Sequence, residues 1–150
     1  METRHEREIV GNIGLYHVCR ELSRRGLKIS LTRRGWKSIS RNVRGVDIIA
    51  TDKNSQKEFT IQIIAVLNSE PVPFGNSIKN LSDCVVLCRS GKSDEQTEND
   101  LIPMPEIFIL TKQNIIESIT KKTNGDKTNH WLDKSAYELQ KDEWEKIYSI

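Results

Sequence analysis

The stretch GVDIIATDKNSQKEFTIQIIAV, residues 45–66, places an acid, Asp47, at the start of one β-branched run and an amide, Gln62, inside the next. A carboxylate and an amide oxygen on neighbouring strands are hard oxygen donors, of the kind that can hold a divalent cation against a phosphate. Phosphodiester hydrolysis also needs an ammonium nearby, to position water and to stabilise the charge that develops in the transition state. Successive strand residues face opposite ways, so Gln62, Ile64 and Val66 share a face, and neither Ile64 nor Val66 offers charge or hydrogen bond. Taken alone, Asp47 has a plainer reading as a strand-start acid that binds backbone amides or pairs with Arg44.

Other chemistry finds less support. Cys84 and Cys88, four apart in an apolar run, read as small core residues, and His17 and His130 lie too far off in sequence to complete a zinc signature. No serine, histidine and aspartate share nucleophilic spacing, and no glycine-rich phosphate loop is present. Glu58 shares parity with Gln62 but opens its strand, while Lys57 and Glu70 read as ordinary loop residues.

The 150 residues suit one domain that buries its own core, and the apolar runs are far shorter than the ~20 residues of a membrane span. The charged start METRHEREIV and only three cysteines point to a cytoplasmic protein without a membrane partner. The net charge of +2 hides an asymmetry. Residues 1–44 hold eleven basic and four acidic side chains, a net of +7, which leaves −5 for the remainder. A basic half points to a polyanion such as nucleic acid, against the plainer alternative of a solvated basic face.

The apolar positions Ile9, Ile13, Tyr16, Val18, Cys19 and Leu22, with the RRG stop at 24–26, predict a long amphipathic helix. LKISL follows as a short strand. TRRGWKSISRNVR is then a polar loop with five cations, no acid and one large hydrophobe, Trp36. VDIIAT and FTIQIIAV, joined by DKNSQ, predict an antiparallel hairpin central to a sheet. EPVPFGNS reads as a loop, DCVVLCR and IFILT as strands, and residues 91–106 as a polar excursion. KQNIIESITKK and SAYELQKDEWEKIYSI are expected to be helices, with His130 and Trp131 at a packing corner.

The order of these elements, with GVDIIA and IQIIAV, resembles the restriction-endonuclease-like superfamily with the PD-(D/E)XK motif, which includes Holliday-junction resolvases and small prokaryotic nuclease-like proteins. SEPVPFG and the terminal WL…AY…W pattern also resemble small relatives of this kind. The likeness rests on few residues over a shared layout. It implies a metal-binding Asp on the first hairpin strand, Glu or Gln, a spacer and Lys on the second, and a Glu after a Gly on the first helix. Asp47 takes the metal position, Gln62 the second and Ile63 the spacer, while Ile64 stands in place of the lysine. Gly14, Leu22 and Gly26 keep the helix spacing, and Leu15 replaces the glutamate. Asp47 and Gln62 are thus expected as a vestigial catalytic pair, with Leu15 packed over them and Ile64 extending an apolar lining.

The expected fold is α/β, a restriction-endonuclease-like mixed central β-sheet flanked by helices, in one domain over 1–150. The expected function is that of a degenerate nuclease, inactive or weak, with no cofactor, binding DNA through Arg33, Arg34, Lys37, Arg41 and Arg44. One alternative is an active endonuclease with an atypical Mg²⁺ site at Asp47. Another is a protein-interaction module, a homodimer or the inactive subunit of a related nuclease.

Overall fold

The computed structural model describes residues 3–32, 45–75, 78–90 and 103–150. Helix α1, Thr3–Arg24, buries Val10, Val18 and Leu22, a row at spacing four in which Gly14 is the missing member. The core stripe therefore runs one step round from the expected one. Tyr16 is 69% exposed, and Ile9 and Ile13 are only half-buried. The reason is Gly14, where an added Cβ would lie 2.2 Å from Cys88 Sγ, so the side without side chain is the one pressed closest to the sheet. Gly26, at φ +87°, ends the helix in the left-handed conformation that glycine adopts without strain.

Five strands form the main sheet: β1 (Leu27–Leu31), β2 (Ile48–Asp52), β3 (Glu58–Val66), β5 (Cys84–Arg89) and β6 (Glu106–Thr111), in the order β1-β2-β3-β5-β6. All neighbours are antiparallel except β3 and β5, which run parallel with Gln62 beside Val85 and Ile64 beside Leu87. The hairpin β2–β3 and the central place of β3 match the sequence expectation. β3 and β5 are buried on both faces, as a near-continuous Val/Ile/Leu run requires.

A second sheet departs from the single sheet expected. Strand β4 (Val72–Gly75) lies in the EPVPFGNS segment, and pairs with β8 (Lys127–Leu132), which pairs with β7 (Thr120–Asn124), in the order β4-β8-β7. Helix α2 is therefore only Lys112–Ser118, opened by a capping box of Thr111 and Asn114, and its expected last turn is strand β7. Gly125, at φ +64°, makes the two-residue turn to β8. His130 and Trp131 sit within that strand, not at a corner.

The C-terminus is likewise not one helix. Lys134–Tyr137 forms the short α3, followed by 3-10 turns at Glu138–Gln140 and Trp144–Ser149. Between the turns the chain is drawn to the edge of β6, where Phe108 bridges Lys141 and Asp142 N–H donates to Ile107 O at 2.8 Å.

The main sheet separates two cores. Ile61, Ile63 and Ala65 of β3 face α1, Trp144 and Ile147, whereas Ile64 and Val66 face Ile115 of α2, Tyr137 of α3 and Val72, Phe74 and Leu132 of the second sheet. No helix among the described residues is long and apolar enough to cross a membrane.

Candidate functional site

Asp47 stands one residue before β2 and is fully buried. Its N–H donates to Ile61 O at 2.9 Å, and its carbonyl accepts from Thr32 N–H at 3.0 Å. Its carboxylate Oδ2 accepts from Ile63 N–H at 2.7 Å. A side-chain oxygen thus takes the part of a strand carbonyl just beyond Ile48, the last paired residue of β2, and carries the β2–β3 ladder one bond further. Bonds from an amide to a carboxylate are short and strong, and this one is shielded from water.

Gln62 adjoins Ile63 and is also fully buried. Its register beside Val85 and its alternation with Ile63 put it on the face away from α1, with Ile64. Asp47 and Gln62 thus come together on neighbouring strands. Leu15 belongs to the other face, packed with Ile61, Ile63 and Cys88, so it does not share a lining with Ile64 as expected. The physical reason is the period of two along β3, which sets the sheet between them.

Neither thiol near this centre is reactive. Burial pushes Cys84 and Cys88 up to about 12, with the charge of Asp47 adding to the rise at Cys88. Both stay protonated at neutral pH.

The donors fit a Mg²⁺ ion poorly. Such an ion takes six oxygens in near-octahedral geometry, yet one oxygen of Asp47 is committed to Ile63 N–H. Among the described residues no three His, Cys, Asp or Glu side chains gather as a metal set. The flanking groups are elsewhere engaged. Glu58 is exposed at the far start of β3, four residues and so about 13 Å from Gln62. Lys57 belongs to the distal turn, its carbonyl taking Asp52 N–H. Glu70 is clamped by Arg7 at 2.5 and 2.8 Å and accepts Leu67 N–H at 2.9 Å. We derive no hydrolytic step through a metal here.

Arg33, Arg34, Lys37, Arg41 and Arg44, and Trp36 with them, lie outside the described residues. The two ends of their segment are described, and both are tied at Asp47. Thr32 Oγ1 donates to Val46 O at 2.5 Å while Thr32 N–H donates to Asp47 O, and Ser82 Oγ donates to Gly45 O at 3.3 Å.

Sequence reasoning passed over Arg89, the most engaged polar side chain of the described residues. It ends β5, is 7% exposed, and holds Glu106 and Glu138, with its guanidinium carbon 4.8 Å from the Phe108 ring centre and 5.8 Å from that of Tyr137. Burial pushes Glu106 up, but hydrogen bonds from Lys141 and Arg89 outweigh it and hold the carboxyl below its ordinary value. Glu138 is lowered chiefly by its hydrogen bond from Arg89. The signal was an arginine closing an otherwise apolar strand, VVLCR. These bonds tie the C-terminal turns to the sheet, and a guanidinium with two carboxylate partners has a structural role.

No family model matches the chain, and no curated protein or solved structure matches it either.

Proposed function

We propose that the chain is a restriction-endonuclease-like domain whose hydrolytic centre has become part of the scaffold, and that it binds DNA without cutting it through Arg33, Arg34, Lys37, Arg41 and Arg44. The observation that carries this reading is the convergence at Asp47. Its carboxylate serves the β2–β3 ladder, and its carbonyl anchors one end of a segment with five cations and no acid.

A helix followed by three antiparallel strands, with Asp47 and Gln62 buried on the second and third, agrees with the layout of that superfamily. Ile64 in an apolar core in place of a lysine removes the group that would position water. Loss of one such donor costs on the order of 10²–10³ in rate, and the acid expected at Leu15 is missing as well. Arginines fork onto phosphate oxygens irrespective of base sequence.

The test is a salt titration of duplex binding by wild type and an Arg41→Ala, Arg44→Ala double variant. Weaker binding to all duplexes, with the slope of log affinity against log salt reduced by about 0.9 per lost contact, is expected. Unaltered affinity and slope would remove DNA binding by these residues and leave the protein-interaction reading in front.

A further inference from the structure

The second sheet presents a face that the cores do not use. Val72 and Leu132 are paired and buried, so by alternation their neighbours Pro73 and Trp131, and with them Thr120, turn outward. Along the β7–β8 ribbon the same outward face carries the pairs Lys122–Asn129 and Asn124–Lys127, all four exposed. Between residues 120 and 132 the only acid is Asp126, at the turn. Asp133, at the root, is held by Trp131 Nε1–H at 3.1 Å and Thr120 Oγ1–H at 3.2 Å.

Two plainer roles leave part of this face unexplained. Lysines on an edge strand discourage pairing with other chains, which suits Lys122 on β7. It does not account for Lys127 and Asn129, since β8 is the inner strand of its sheet. Nor does strand stability, because asparagine and lysine are both disfavoured on strands. A two-stranded ribbon does fit the major groove of duplex DNA, which is about 12 Å wide.

We infer that the outward face of the β7–β8 ribbon is a second duplex-DNA surface, entering the major groove with Lys122 and Lys127 on flanking phosphates. This rests on the DNA-binding reading above but uses none of its residues. Lys122 and Lys127 are opposite in sequence along the hairpin and stand two pairs apart, so they can meet phosphates on either side of the groove while Asn124 and Asn129 lie between them.

The experiment measures the salt dependence of binding to a labelled duplex and to one of its single strands. It compares wild type, Lys122→Gln with Lys127→Gln, and Arg41→Ala with Arg44→Ala. Both lysines are exposed, and an unchanged melting temperature verifies that the glutamine variant is folded. On the duplex its slope is expected to fall by about 1.8, two contacts' worth, with little change on the single strand, which has no groove. A wild-type slope for the glutamine variant alongside a reduced slope for the arginine variant would overturn the ribbon and spare the basic segment. An equal fall on both DNAs would overturn groove entry, and a wild-type chain that binds neither DNA would overturn the ribbon and the parent reading together.

Discussion

The Asp47 carboxylate accepts a 2.7 Å hydrogen bond from the backbone N–H of Ile63, the residue between Gln62 and Ile64. In a metal-dependent nuclease of the layout that the sequence resembles, that carboxylate would hold the cation. Here its oxygen completes a strand ladder, and the change of role can be measured. Asp47→Ala leaves a buried N–H without its acceptor, a loss of about 1–3 kcal/mol. Asp47→Asn keeps an amide oxygen in reach and is expected to lose less than half of that. Urea melts of the two variants give the comparison.

Gly14 is the point of closest approach of α1 to the sheet, and a methyl there would meet Cys88 Sγ at 2.2 Å and Cβ at 2.8 Å. Alanine gains about 1 kcal/mol in a helix interior relative to glycine, while overpacking a tight core costs about 1–3 kcal/mol. The clash involves a core side chain and should win, so Gly14→Ala is expected to destabilise. Adding Cys88→Ala removes the sulfur but not the Cβ, and should restore part of the loss. Paired denaturation curves would show it.

Restoring the missing lysine should not restore a nuclease. Ile64 is 1% exposed among Val66, Val85 and Leu87. A lysine there must either shed its charge or distort the core, a loss of about 3 kcal/mol or more. Ile64→Lys is expected to melt earlier and to leave duplex DNA intact in Mg²⁺, as read by thermal denaturation and a nicking assay.

The Arg89 cluster makes stability depend on acid pH. The carboxyls of Glu106 and Glu138 lie below their ordinary value of 4.5 in the folded chain. The folded state therefore binds fewer protons than the unfolded one between those values, and stability falls as pH falls. The contribution is complete above about pH 4.5 and is lost as pH drops through the folded values. Arg89→Met keeps much of the bulk against Phe108 and Tyr137 but removes the cation, so its melting temperature should change less between pH 5 and 3 than that of wild type (on the order of the linkage that one or two shifted carboxyls supply).

The main sheet was legible in the sequence because β3 and β5 are long β-branched runs and DKNSQ is a strong turn between two of them. The second sheet was less so. Its strands are short and polar, and TKKTNGDKTNHW shows no apolar alternation, although Asn124-Gly125 is a recognised hairpin signal. The C-terminal 3-10 turns escaped because Lys141 and Asp142 are pulled to β6 by tertiary contacts that local helical spacing does not record. At the candidate site, residue types revealed Asp47, Gln62 and the missing charge at Ile64. The bond from Ile63 N–H to Asp47 could not be read, since it depends on where β2 ends.

The most direct measurement is a titration of end-labelled duplex DNA with the purified chain, with and without Mg²⁺, in which each sample is read both for retention and for strand breaks. Retained and uncut DNA, weakened by salt and indifferent to Mg²⁺, is the expected result. Mg²⁺-dependent cleavage that disappears in Asp47→Ala, or no retention at any salt, would contradict it.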